Sequence, residues 1–209
     1  NVADPPQGQN ALKATLGIGG GIYAGAYTSP VIQGNTISSN RAGDSNKLYQ
    51  IGAGGGMIIY SLSPTLVPQI SQNLIVDNSS ADVGGGISFS QATDYTGEFW
   101  YPTFGVVENN VLELNRSFLG GGIHTLTTQA IIRNNTIADN DQYGIYGVNA
   151  TLTATGNSIS GHTTAGIYLD INTLLSSVAT LGSKPRYDTD GVPSESELTL
   201  LGITEGQLP

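Results

Sequence analysis

The sequence predicts an all-β solenoid, a parallel β-helix of about five to six rungs with inserted loops. Three observations predict it: two short phrases alternate along the chain, their spacing becomes constant, and the apolar runs inside them have strand length. The first phrase is a glycine cluster followed by an apolar residue. Its copies, the last two shortened, lie at residues 19–22, 54–57, 84–87, 120–123, 143–145 and 165–167.

The second phrase carries asparagine at two fixed positions. It reads apolar, two variable residues, Asn, one variable residue, apolar, two variable residues, Asn. Copies run over residues 32–40, 70–78, 107–115 and 132–140. A weaker fifth copy keeps Asn157 but has His162 in place of the second Asn. The regular alternation of the two phrases indicates a repeat protein.

The spacing of the phrases sets the size of one rung. Gly122, Gly144 and Gly166 are 22 residues apart, whereas the earlier glycine phrases are 30 to 36 residues apart. Constant phrases at variable spacing indicate a rung of fixed size with loops of different length. The apolar runs are short and β-branched, which favours strands. Helical repeats need about 33 to 47 residues with long apolar periodicity, which the sequence lacks.

The recurrent asparagines predict two side-chain ladders. The tight turns between rung strands demand left-handed backbone, which Asn tolerates. An Asn at the same turn of every rung also stacks on its neighbours, because its amide both donates and accepts hydrogen bonds. The first ladder contains Asn35, Asn73, Asn110, Asn135 and Asn157, and the second contains Asn40, Asn78, Asn115 and Asn140. The alternative is glycan attachment, since Asn78, Asn115, Asn134 and Asn149 lie in Asn-X-Ser/Thr sequences.

The glycine clusters also allow two interpretations. A phosphate-binding loop would need a helix after the glycines, and no helical pattern follows any copy. Recurrence in every rung instead indicates a place where the backbones of adjacent rungs approach closely.

The two phrases resemble the right-handed parallel β-helix repeat of the pectate-lyase-like superfamily, over roughly residues 17–172. The resemblance implies a right-handed helix and a secreted or cell-surface protein, since that superfamily includes polysaccharide lyases, glycoside hydrolases, epimerases and surface proteins. It does not select one activity, because the same scaffold carries many. We expect an extended N-terminal arm at 1–16, the β-helix at 17–181, and a C-terminal tail or cap at 182–209.

Composition excludes several partners and chemistries. Lys and Arg number 7 against 16 Asp and Glu, a net charge of −9, which predicts no nucleic-acid binding. No apolar run approaches the roughly 20 residues that span a bilayer, so we expect no membrane insertion. The absence of Cys excludes disulfides and thiolate chemistry. Because the chain begins at Asn1, we expect either a removed leader or a fragment of a longer protein.

Aromatic residues are the candidates for glycan or partner contact. After the glycine phrase comes a column that strand alternation points outward, made of Tyr23, Ile58, Ser88, His124, Tyr146 and Tyr168. The column either contacts a ligand or stacks between rungs. A second group lies in the insert at 90–105 and consists of Tyr95, Phe99, Trp100 and Tyr101. That insert is either a lid packed on a sheet or a binding segment.

Catalytic and metal-binding patterns are weak. A lyase needs a basic residue and a cation near the substrate, and a glycosidase needs two carboxyl groups within about 5–9.5 Å. Asp77 and Asp139 share a column but lie two rungs apart, and we assign no catalytic residue. Asp188 and Asp190 begin a sequence like a calcium loop that lacks the Glu at its twelfth position. We expect no cofactor, with calcium at this pair as the alternative.

These observations favour a structural role over catalysis. Open β-helix ends expose strand edges that can pair with another chain. We therefore predict a secreted or surface β-helix that packs with other copies, or with neighbouring domains of a larger surface protein, into a filament or surface layer. The alternative is a carbohydrate-active enzyme or polysaccharide-binding domain acting on an extracellular glycan.

Overall fold

The computed structural model describes residues 2–3, 15–25, 27–43, 50–61, 64–93, 100–170, 172–181 and 185–187. Every regular element among these residues is a β-strand. With one exception the strands pair in parallel, each with its counterpart one turn further along the chain. The exception is a short antiparallel hairpin in the insert at 90–105.

The described strands trace six coils. The first contains β1 (Val2–Ala3), β2 (Thr15–Ile18), β3 (Ile22–Ala24), β4 (Val31–Gln33) and β5 (Thr36–Ser38). The second contains β6 (Arg41–Ala42), β7 (Gln50–Ala53), β8 (Met57–Ile59), β9 (Gln69–Ser71) and β10 (Leu74–Val76). The third contains β11 (Ser79–Ser80), β12 (Ile87–Phe89), β13 (Ala92–Thr93), β14 (Trp100–Tyr101), β15 (Thr103–Glu108) and β16 (Val111–Glu113). The fourth contains β17 (Ile123–Leu126), β18 (Thr128–Arg133) and β19 (Thr136–Ala138). The fifth contains β20 (Tyr143–Val148) and β21 (Thr151–Ser160), and the sixth contains β22 (Ala165–Leu169), β23 (Leu174–Leu181) and β24 (Pro185–Tyr187).

Stacking of the coils generates two large sheets and two small ones. Sheet 1 has seven strands in the order β24-β22-β20-β17-β12-β8-β3. Sheet 2 has ten strands in two arms, one from β4 to β18 and one from β5 to β19, which β21 joins. The small sheets are β1-β6-β11 and β2-β7. The fold is a parallel β-helix, as the sequence predicts.

The core is a set of apolar columns inside the coils. Along β18, buried and exposed residues alternate strictly, as expected for a strand with one face on a core. The buried columns are Ile32, Ile70, Val107 and Ile132; Ile37, Ile75, Leu112, Ile137 and Ile159; and Met57, Ile87, Ile123, Ile145 and Ile167. Full burial of one such side chain contributes about 1.5–3 kcal/mol, so the repeated apolar positions supply the driving force for stacking.

The turns before the ladder asparagines differ from the prediction. We predict left-handed backbone at Asn itself, whereas the structure has positive φ at the residue before each Asn, for example +56° at Asn109 and +55° at Leu114. The expectation is wrong because the backbone N–H and side chain of each Asn point along the axis to the next coil. The preceding residue makes the turn, and it need not be Asn.

The glycine phrases bring adjacent coils together, as predicted. A Cβ on Gly86 would lie 2.6 Å from the carbonyl oxygen of Gly122, and one on Gly56 would lie 2.6 Å from that of Gly86. Since such a distance is too short for any side chain, only glycine fits at these positions.

Both ends of the expected β-helix segment carry additional strands. Val2–Ala3 pairs in parallel with Arg41–Ala42, and Thr15–Ile18 pairs with Gln50–Ala53. These strands include residues that we expect to form an extended arm. Pro185–Tyr187 pairs with sheet 1 inside the expected tail. The outermost residues of the coil stack are thus closer to the termini than the repeat phrases indicate.

Candidate functional site

The first asparagine ladder is continuous through five coils and confirms the predicted column. Each Asn donates its backbone N–H and its Nδ2 to the Oδ1 of the Asn in the next coil, at 2.9–3.1 Å from Asn35 to Asn73. The same pair of bonds joins Asn73 to Asn110, Asn110 to Asn135, and Asn135 to Asn157. From the second coil onward, Nδ2 also donates back to a strand carbonyl of the preceding coil.

The second ladder is confirmed as well, and it ends on a histidine. Asn40, Asn78, Asn115 and Asn140 are joined by the same paired bonds. In the fifth coil, His162 takes the Asn position: its Nδ1 lies 3.2 Å from the N of Asn140 and its Nε2 lies 3.1 Å from the carbonyl oxygen of Ile137. A neutral ring with the proton on Nε2 satisfies both groups, and burial lowers the pKa of His162.

Burial distinguishes between the ladder and glycan interpretations of the asparagines in Asn-X-Ser/Thr sequences. Asn78 and Asn115 are fully buried and their side chains are bonded on both sides, so neither can carry a glycan in the folded protein. Asn134 and Asn149 are exposed at turns and belong to neither ladder.

The edge of the first coil is where the ladders stop. Strands β3, β4 and β5 pair only with the second coil, and no coil precedes them in the part of the chain that the structure describes. In later coils the residue after each first-ladder Asn donates its N–H to the Asn carbonyl of the coil before, as Leu74 does to Asn35 at 2.9 Å. Thr36 has that position in the first coil. Its N–H therefore faces away from the stack.

Val31 and the leading residue of the first ladder extend this edge. Val31 is in register with Gln69, whose N–H donates to the carbonyl of Pro30 at 2.9 Å, so the N–H of Val31 also faces away from the second coil. The Oδ1 atom of Asn35 occupies the position that accepts two hydrogen bonds in the four coils behind it. We call Val31, Asn35 and Thr36 the N-terminal edge. Asn40 does not belong to it, because its side chain is buried and β1 pairs with the strand that directly follows it. Sequence reasoning missed Val31 and Thr36, although their place in the first copy of the Asn phrase could have identified them.

The predicted outward aromatic column is exposed at one end and buried in its middle. Tyr23 is 56% exposed. Ile58, Ser88 and His124 are buried, so the prediction that this column faces outward is wrong at its centre. The pattern of strand alternation fails here because all three residues of β8 and of β12 are buried. Sheet 1 is covered on both faces at these coils.

Tyr146 and Tyr168 stack on each other, with ring centroids 4.7 Å apart and planes 4° apart. Tyr143, which the sequence reasoning missed, lies 5.2 Å and 5.1 Å from these rings. Its signal was the shortened glycine phrase, where it replaces glycine. His124 continues the stack, 6.0 Å from Tyr146. These rings contact one another, so this end of the column stacks between coils, which is one of the two predicted alternatives.

His124 forms a buried polar pair with Ser88. Its Nδ1 lies 3.2 Å from Oγ of Ser88, on the neighbouring coil. Burial lowers the pKa of His124 to about 4, so the ring is neutral at physiological pH. The pair is buried, and no carboxylate among the described residues bonds to the imidazole, which does not suit a catalytic dyad.

Other candidates fall outside the described residues or show no catalytic arrangement. Tyr95, Phe99, Asp188 and Asp190 lie outside the described residues, and Trp100–Tyr101 is strand β14. The choice between lid and binding segment stays a prediction, as does calcium. Within the described ranges, no three His, Asp or Glu side chains are grouped to hold a metal ion.

Two further columns carry charged side chains. Arg41, Ser79 and Arg116 are in register on successive coils. Glu108 and Arg133 are paired on adjacent strands, with Nη2 and Oε2 2.6 Å apart. Such an exposed pair contributes about 0–1 kcal/mol.

Comparison with known proteins identifies the fold family. A family model described as right handed beta helix region matches residues 9–178. Comparisons with curated proteins and with solved structures found no match. A search of the described ranges for a helix long and apolar enough to cross a membrane found none.

Proposed function

The chain belongs to the right-handed β-helix family, and from that premise we propose that it is an extracellular structural module that associates with other β-helical coils through its N-terminal edge. The proposal rests on the hydrogen-bonding groups of this edge that have no described partner. In the coils behind it, the positions of Val31, Asn35 and Thr36 all make bonds to a preceding coil. In the first coil these three residues are exposed and have no described partner on the outer side.

Unpaired strand edges have a strong tendency to pair with another chain. Proteins that avoid this place charges or proline at the edge, or shorten and bend it. Pro30 directly precedes β4, whereas the outward residues of β4 and β5, which are Val31, Gln33, Thr36 and Ser38, are uncharged and continue the sheet of the coils behind. An added coil would satisfy the backbone N–H groups of Val31 and Thr36 and the Oδ1 of Asn35 at once.

The partner is either a second copy of this chain or a coil from a neighbouring domain of a larger surface protein. Both would present the same chemistry, a parallel strand with donors in register with the ladder. The first possibility is directly testable with the protein alone.

We test the proposal by replacing the outward N–H of Thr36. Sedimentation velocity and light scattering of the wild-type chain should show species larger than 21.6 kDa that increase with concentration. Thr36→Pro should weaken association about tenfold, because it removes one donor and places a ring at the edge. Thr36→Ala is the matched control, since it removes the side chain but keeps the N–H, and it should associate like the wild type.

Proline should be tolerated in the isolated chain because the N–H of Thr36 bonds to no described group within it. Circular dichroism should therefore be the same for both variants. A wild-type chain that stays monodisperse at 21.6 kDa, with no assemblies in electron micrographs, would reject self-association.

The second candidate function is glycan binding, which the exposed rings of Tyr23 and Tyr27 favour. Aromatic faces at a sheet surface can stack on sugar rings. Incubation with a panel of polysaccharides that includes uronate polymers would test it, with binding, unsaturated products and reducing ends as readouts. Turnover of any polymer would make the chain an enzyme and would contradict a purely structural role.

A further inference from the structure

The asparagine ladders have a direction, and this direction determines how two copies can join. In every step between two asparagines of either ladder, the backbone N–H and Nδ2 donate to the next coil and Oδ1 accepts from the previous one. None of the steps between asparagines is reversed. The first coil therefore presents an acceptor outward at Asn35, which is exposed, and a partner must bring a donor.

The opposite end of the stack can supply these donors. Thr180 of β23 is in register with Asn157, the last residue of the first ladder. The backbone N–H at this register points to the following coil in every earlier step, from Asn35 through Asn135. Because a backbone N–H makes this bond, a second copy can continue the ladder although its last coil has Thr at the position.

From this polarity we infer that the partner is a second copy bound head to tail, with β23 of one copy seated against β4 and β5 of the next; this inference rests on the proposed function. A head-to-head pair would instead place the Oδ1 atoms of the two Asn35 side chains against one another, with no side-chain donor between them. The geometry points to a heterologous contact, which continues as an open filament unless a rotation closes it.

The contact is carried by β23 rather than by the other edge strand of the last coil. Strand β24 begins at Pro185, which has no N–H, and proline at the start of an edge strand weakens pairing there. Strand β23 is eight residues long and, with two register shifts against β21, extends along both arms of sheet 2. On the first coil those arms end in β4 and β5, the strands of the N-terminal edge.

Engineered cysteines test the head-to-tail arrangement. The chain contains no Cys, so no native disulfide can compete with the engineered one. Leu174 is exposed in the column of Thr151 and Gln129, and counting back from Val31 places Ser29 in the same column of the first coil. In a continued stack, neighbouring positions of a column are about 4.8 Å apart, within the Cα separation that a disulfide bridges. Ser29→Cys and Leu174→Cys are therefore made as separate variants.

Mixed and oxidised, the two variants should form a disulfide-linked heterodimer, while each variant alone should remain unlinked. Gln129→Cys, in the same column of the fourth coil, is the control for random collision and should give no link with either. A Ser29→Cys homodimer, formed alone, would show head-to-head contact and overturn the inference. So would the absence of any heterodimer when sedimentation shows that the wild type associates. A wild type that is monomeric at all concentrations would instead reject the proposed function itself.

Discussion

Leu114 shows that the residue before a ladder Asn is selected by backbone conformation. It has a φ of +55° and is 50% exposed, so its side chain adds little burial. The corresponding residue is Gly34 in one turn and Gly161 in another, where positive φ has no steric cost. Left-handed backbone costs a residue with a Cβ about 1–2 kcal/mol.

We predict that Leu114→Gly is more stable than Leu114→Ala by about 0.5–1 kcal/mol, since both remove the side chain but only glycine removes the strain. Thermal or denaturant unfolding measures the difference. The same pair of substitutions at Glu113, a strand residue, should have the opposite sign, because glycine in a strand costs about 0.5–1 kcal/mol. Equal stability of the Gly and Ala variants at 114 would contradict the argument.

His124 makes stability depend on pH. Its folded pKa is about 4, below the ordinary 6.5, so the unfolded chain binds the proton first as pH falls. The contribution of His124 to stability should decrease by about 3 kcal/mol from pH 6.5 to pH 4 and should not change further below pH 4. In His124→Gln, the difference in unfolding free energy between pH 7 and pH 4.5 should be smaller than in the wild type. A variant with an unchanged difference would show that His124 is not buried neutral.

At the scale of the element, each ladder step is a set of mutually dependent hydrogen bonds. Asn110 is buried and makes bonds to the coil on each side. Without its side chain, the N–H and Nδ2 of Asn73 and the carbonyl of Ile70 lose their partner. Each unsatisfied buried group costs about 1–3 kcal/mol.

Asn110→Ala should therefore destabilise the chain by about 3 kcal/mol or more, measured by thermal or denaturant unfolding. Asn35→Ala is the matched control, because Asn35 is exposed at the ladder end and no described coil depends on its Oδ1. Its cost should be about 1 kcal/mol or less in the monomer. Similar losses for both variants would mean that the ladder does not stabilise the stack.

The sequence predicts the repeated elements well because each is specified by a spacing that recurs. Both Asn columns and the close approach at Gly86 follow from aligned phrases. The burial of His124 could not be predicted the same way, since alternation along a strand describes a sheet with one free face. The strand at Val2–Ala3 was also missed, because it lies outside the repeat phrases and is defined only by its pairing with Arg41–Ala42.

At the scale of the whole molecule, a solenoid is a row of coils that contact only their neighbours. An interior coil is bonded on two sides, whereas the first coil is bonded on one. The ladder positions whose hydrogen bonds join interior coils therefore lack a partner on the outer side of the first coil. In this chain the stabilising ladder and the proposed docking edge are the same structure, seen in the middle and at the end of the stack.

Because the end of the ladder is also the proposed docking edge, the proposal predicts which backbone amides exchange more slowly on assembly. The N–H groups of Val31 and Thr36 face away from the second coil, whereas those of Ile32 and Ile37, next to them, point into the pairing with β9 and β10. In hydrogen exchange measured by NMR, raising the protein concentration should slow exchange at Val31 and Thr36, by about tenfold for each 1.4 kcal/mol of association. Ile32 and Ile37 should already be protected in dilute samples and should change less. If all four amides exchange alike at every concentration, the first coil is not the edge through which the chain associates.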